Sequence, residues 1–336
     1  MKKLSLILIG LLLVPTLFLT SCDKGDDLVT GGGTTAEPTF TILKDYMVTN
    51  SLDINNVISN PAGVKFVVGA PNLVDYDAAA YKAKYYIMDI RSAASFTTSH
   101  IDGAVNVAFG NILTSAANNG GKQILVVCYT GQTACYAAAL LRMYGHPDAQ
   151  ALKWGMTGWS STTDSWTSKV GDVGLTNWAF NSTPTLNIYN EPTLTSLSTD
   201  GATILRKRIE DIVANFTTSP FTISNTTVVT TPTNYFINNY FSEADFTGFG
   251  HITGSNRILP LTLAGNEYKN LDDSATIVTY CYTGQTSAVV TACLRVLGYD
   301  AYSLSFGENG LNHSSSQWSS NQWGEDSKTK DLPLVN

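Results

Sequence analysis

Short apolar runs alternate along the chain with longer stretches whose apolar residues recur at helical spacing. YYIMDI (85–90) and KQILVV (122–127) have strand length. TACYAAALLRMYG (133–145) reads as a helix that stops at Gly145, a residue suited to the left-handed position after a helix end. Gln150 to Trp154 fits a further short strand. A stretch rich in Thr, Ser, Asn and Pro covers 165–200, and the alternation then resumes. TILRKRIEDIVANF (203–216) is amphipathic, and NYFINNYF (234–241) and ATIVTY (275–280) read as strands. Strands alternating with helices predict an α/β fold with open, mainly parallel sheets flanked by helices on both faces.

The hexapeptide CYTGQT occurs at 128–133 and again at 281–286. At the same offset Ala139, Leu141, Arg142 and Gly145 coincide with Ala292, Leu294, Arg295 and Gly298. Upstream, SHIDGAVNV (99–107) lies over GHITGSNRI (250–258); downstream, KWGMTGW (153–159) lies over FGENGLN (306–312) with one residue dropped. Three blocks in the same order predict a duplicated domain. The division is 39–170 for the first, 171–200 for the linker and 201–330 for the second. Both hexapeptides fall between a strand and a helix, beyond the carboxyl end of the strand, where open sheets carry their chemistry.

Composition adds location and excludes some partners. Residues 1–22 combine a Lys2–Lys3 start, an apolar core and the ending LTSC, a secretory signal. The ending resembles a bacterial lipobox, so Cys22 is expected to carry lipid and anchor the protein to the membrane of the cell envelope. Residues 23–38 form a polar, Gly-rich tether whose acidic start is similar to export signals of Bacteroidetes lipoproteins. A net charge of −7 argues against nucleic acid as a partner. Of the four cysteines beyond Cys22, Cys128 and Cys281 are equivalent in the two copies whereas Cys135 and Cys293 are not, which favours free thiols over a disulfide framework. No Cys or His spacing suits a metal, and no metal or organic cofactor is expected.

A cysteine that leads a tight loop into a helix meets amide groups lacking intrahelical partners. If the loop wraps the sulfur, those amides form an anion nest that lowers the thiol pKa. Gly131 and Gly284 permit the turn. Thr133 and Thr286 are placed to cap the helix or donate to sulfur. Tyr129, Thr130 and Gln132 face the opening, with Tyr282, Thr283 and Gln285 as counterparts.

The run IMDIRSAASFTTSHIDGAVNV, then CYTGQT, a helix and WGMTGW, resembles the rhodanese-like sulfurtransferases. The resemblance implies that Cys128 takes sulfane sulfur as a persulfide from a donor and passes it to a thiol or cyanide acceptor. It also implies that Asp89 and Arg91 shape the region around the loop, and that His100 and His251 are structural. In the second copy Asn239 and Phe241 replace that charged pair, yet Cys281 and its loop are intact, so both cysteines are candidates. Related phosphatases use a seven-residue loop ending in Arg; this loop has six residues and no cation, which argues against phosphate chemistry. The same absence makes thiosulfate, a dianion, a poor donor beside polysulfide or a persulfide. A non-catalytic binding or redox-sensing module remains the alternative.

Overall fold

The computed structural model describes residues 38–336. The signal segment, Cys22 and all of the tether but residue 38 lie outside the described residues. In the first half, β1 (Val67–Val68), β2 (Tyr85–Asp89), β3 (Val105–Asn106), β4 (Gln123–Val127) and β5 (Gln150–Leu152) form one parallel sheet in the order β1-β5-β4-β2-β3. A short antiparallel ribbon joins β6 (Trp178–Ala179) to β9 (His251–Ile252). The second half repeats the parallel sheet with β7 (Thr222–Ile223), β8 (Phe236–Asn239), β10 (Asn256–Arg257), β11 (Ile277–Tyr280) and β12 (Ala301–Leu304). Their order, β7-β12-β11-β8-β10, matches the first sheet strand for strand.

Side chains alternate across each strand, so one apolar run supplies two cores. In β4, Ile124 and Val126 face a large inner core, while Leu125 and Val127 face a smaller outer one with Ile101, Met156 and Trp159. The inner core is shared by both halves. Helices α1 (Thr39–Thr49), α2 (Gln132–Met143), α3 (Gly201–Ala214) and α4 (Gln285–Val296) lie on that side. Of these, α2 and α4 pack directly on each other. They carry Ala134, Ala137, Ala138, Ala288 and Ala292, all buried in the shared core, and such small side chains favour close approach of the helices. Burial of Leu140, Leu141 and Leu294 contributes about 1.5–3 kcal/mol each.

Both helices stop on an arginine staple. Arg142 donates to the carbonyls of Val57, Val64 and Ala149 at 2.6–2.9 Å. Arg295 binds those of Ala301, Ser219 and Pro220 at 2.6–3.0 Å. Gly145 and Gly298 follow with positive φ.

The spans 39–170 and 201–330 do not close on themselves. Helix α1 packs on α3 of the second half, with Phe40 against Tyr268 and Tyr299. The Asp53 carboxylate accepts from the Leu263 and Ala264 amides. In return Phe216 stacks on Phe109, and Phe221 on Tyr136. The last residues cross back: His100 and Val335 exchange two backbone hydrogen bonds, and Leu332 N–H donates to Trp159. Residues 38–336 accordingly belong to one compact unit.

Candidate active site

Strand β4 delivers Cys128 to the sheet's carboxyl edge, Gly131 turns the chain with φ 86°, and α2 begins at the next residue. The thiol is only 4% exposed. Its sulfur accepts from the Gly131 amide at 3.1 Å and the Ala134 amide at 3.3 Å. The Thr130 and Thr133 amides also favour negative charge there. Burial pushes the thiol up, the four amides draw it back, and it stays above the ordinary thiol value. The cradle expected from sequence is present, but the lowered pKa is not. With no cation in the loop, loss of water outweighs the peptide dipoles.

The WG turn after β5 locks this loop from below. Trp154 is left-handed with φ 66°, and a Cβ on Gly155 would lie 2.6 Å from the Tyr129 carbonyl carbon, so the position tolerates only glycine. The Met156 and Thr157 amides then donate to the carbonyls of Cys128 and Tyr129 at 2.8 and 3.2 Å.

Asp89 ends β2 beside Val127 and forms a buried ion pair with Arg91. Arg91 Nε sits 3.0 Å from both carboxylate oxygens, and Nη2 reaches Oδ2 at 2.7 Å and the Ser99 carbonyl at 2.6 Å. Its guanidinium lies 5.7 Å from the centre of the Tyr129 ring. The Tyr129 hydroxyl bonds Ser95 at 2.6 Å and Ser92 at 3.3 Å. Partial burial raises the Tyr129 phenol, but those hydroxyls and the Arg91 charge outweigh it and leave the phenol below its ordinary value. Beside Tyr129 opens a polar cavity of about 230 Å³, walled by Arg91, Ser95, Thr163 and Asp164 among others; Cys128 is not on its wall.

Not every loop residue faces the opening. Tyr129 does, and Thr130 is partly exposed. Gln132 is buried and points into the other half, where its Oε1 accepts from the Phe306 amide at 2.8 Å. Thr133 supplies an amide; Gly131 is the N-cap, without a side-chain cap. The two histidines brace local turns: His100 and His251 stack on Phe96 and Phe246 and bond those residues' carbonyls through Nδ1. Cys135 and Cys293 are fully buried on α2 and α4. All four described cysteines are free thiols. Among the described residues no group of three His, Cys, Asp or Glu side chains could hold a metal ion.

The second loop copies the backbone but not the whole cradle. Gly284 has φ 73°, and Cys281 is 2% exposed. Its sulfur accepts from the Ser287 amide at 3.4 Å and contacts Ser287 Oγ at 3.6 Å. Among the described residues no bond from Gly284 reaches it. Tyr282 is half-buried, Thr283 and Gln285 are buried, and Thr286 makes no cap.

A family model for the rhodanese-like domain matches residues 74–162 and 241–312. Over 74 residues, 22% of this chain, the sequence is 35% identical to thiosulfate sulfurtransferase GlpE of Shewanella oneidensis and spans 73% of that protein. The chain belongs to the rhodanese family. Among solved structures, thiosulfate sulfurtransferase from Pseudomonas aeruginosa is similar at 15% identity and a TM-score of 0.26, covering 82% of this chain and 48% of its own. The 3-mercaptopyruvate sulfurtransferase from Leishmania major is similar at 13% identity and a TM-score of 0.25, covering 73% of each chain. The rhodanese assignment rests on the family model and the curated relative.

Within this rhodanese pair the second half departs from the first at three places. Asn239 stands where Asp89 does, paired to the residue before the loop cysteine, and neither amide atom has a partner. Phe241 replaces Arg91 and stacks on Tyr282 with ring centres 4.3 Å apart, while the Tyr282 hydroxyl donates to Asp245. Glu308, at the place of Met156, is fully buried with both oxygens unpartnered; burial pushes its carboxyl well above the usual range. Glu308 and the partners of Gln132 and Gln285 were not legible as site features, because only the tertiary arrangement brings them to the loops.

Proposed function

We propose that this chain is a sulfurtransferase that carries sulfane sulfur as a persulfide on Cys128. The observation that supports this most is the pair of amides, from Gly131 and Ala134, aimed at the Cys128 sulfur at a strand-to-helix junction. Such donors stabilise negative sulfur without a counter-cation. In the proposed step the Cys128 thiolate attacks the outer sulfur of a donor R–S–SH. A new S–S bond forms on Cys128, the donor's S–S bond breaks, and the donor leaves as the thiolate RS⁻. An acceptor thiolate then attacks the outer sulfur, and Cys128 leaves as thiolate. No oxidant or reductant is consumed.

Donor choice follows from charge. The loop has no cation, Arg91 is committed to Asp89, and Asp164 adds negative charge to the neighbouring cavity. Thiosulfate is therefore the weaker donor and a persulfide the better one. Cys281 ranks second because its sulfur receives one amide rather than two. The lipobox-like ending at Cys22 supports a lipid-anchored place on the cell envelope as part of this reading; Cys22→Ser should then release the protein from membranes. Steady-state transfer from a persulfide donor to a thiol tests the central reading. Loss of most turnover in Cys128→Ser, with Cys135→Ser near wild type, supports it; equal behaviour of the two variants contradicts it.

A further inference from the structure

Each loop's glycine makes room for the other loop's glutamine. A Cβ on Gly131 would stand 2.6 Å from Gln285 Nε2, and one on Gly284 would collide with Gln132 Oε1. The Gly–Gln pair of CYTGQT is thus interlocked across the two halves, reciprocally, in addition to whatever the cysteines do.

The interlock is not symmetric in what it holds. Gln285 Nε2 donates to the Thr130 carbonyl at 3.2 Å, and Trp166 Nε1 donates to the same oxygen at 2.9 Å. That oxygen belongs to the same peptide unit as the Gly131 N–H. In a trans peptide the C=O and N–H point in opposite directions. Two donors that hold the Thr130 oxygen outward therefore aim the Gly131 N–H inward, onto the Cys128 sulfur 3.1 Å away. The second loop is the internal control. Gln132 bonds the Phe306 amide instead, no side-chain donor reaches the Thr283 carbonyl among the described residues, and Gly284 makes no bond to Cys281.

We infer that Gln285, from the second half, and Trp166, near the end of the first, are positioning residues for the Cys128 cradle, setting the reactivity of a thiol neither touches. The second half is then needed to finish the first half's site, whether or not Cys281 reacts. This rests on the proposed function only for what the thiolate does afterwards.

The test is the pH profile of Cys128 alkylation by iodoacetamide, followed by peptide mass spectrometry in the Cys281→Ser background. Gln285→Met keeps the side-chain length and removes the donor; Trp166→Phe keeps an aromatic ring and removes the indole N–H. Thermal melts confirm that each variant is folded, and either alone suffices. Each variant should alkylate about three- to tenfold more slowly at pH 7, the weight of one neutral hydrogen bond, with its profile displaced to higher pH. A profile unchanged in a folded variant overturns the inference, as does slower sulfur loading with an unchanged alkylation profile, which would assign Gln285 to packing alone. Failure of the wild type to take up sulfur would instead remove the proposed function and leave the alkylation result standing.

Discussion

Cys128 is held between two opposing effects, burial that disfavours its thiolate and peptide dipoles that favour it, and burial prevails. Its alkylation and its sulfur loading should therefore keep rising with pH beyond the ordinary thiol value, where an exposed cysteine would level off; stopped-flow alkylation across pH checks this. Glu308 gives a second pH dependence. Its carboxyl is held above its unfolded value, so the folded state is favoured below the unfolded pKa, and that contribution fades as pH rises toward the folded pKa. Replacing it by the residue at the matching place, Glu308→Met, should raise stability at neutral pH by roughly 1–3 kcal/mol and by less in acid, as urea unfolding at two pH values would show. The loop cysteines were legible in the sequence because the repeated hexapeptide marks them, and the Asp89–Arg91 pair through the resemblance to the rhodanese-like pattern. The direction of Gln132 and Gln285, the approach of Trp166 and the sign of the thiol shift were not, since each depends on what a distant segment places nearby.

At the scale of elements, the junction of β4, loop and α2 depends on glycines in left-handed conformations. Gly131→Ala combines φ 86° with a clash against Gln285 and a 3.0 Å approach to the Trp154 amide. It should cost about 1–2 kcal/mol in stability from the backbone alone and slow Cys128 alkylation more than Gly63→Ala, which has positive φ but open space. Arg91→Ala leaves Asp89 buried and unpaired, and should lower stability by about 3–5 kcal/mol in thermal or urea unfolding. Strand and helix positions could be read from apolar run length alone: β2, β4 and α2 fall within a residue or two of the patterned stretches. The shortest strands, β1, β3, β6, β7, β9 and β10, carry two residues each and leave no periodic signal.

For the whole molecule, the duplication was plain in the sequence but the exchange of segments between halves was not. Helix α1 is covered by residues more than 150 positions away, and the last strand-like segment pairs with His100. No local pattern encodes such partners. A chain ending at residue 328 should lose the Leu332 and Val335 contacts to the first half and unfold at lower temperature than the full chain. Either half expressed alone should expose the inner core shared by α2 and α4, and should aggregate or fail to give a cooperative melt.

The most direct test of the central claim is intact and peptide mass spectrometry after exposure to a persulfide donor. The account predicts one added sulfur on the Cys128 peptide, removed by a thiol acceptor, absent in Cys128→Ser and kept in Cys281→Ser. A sulfur that never appears on Cys128, or one that persists when Cys128 is replaced, would contradict it.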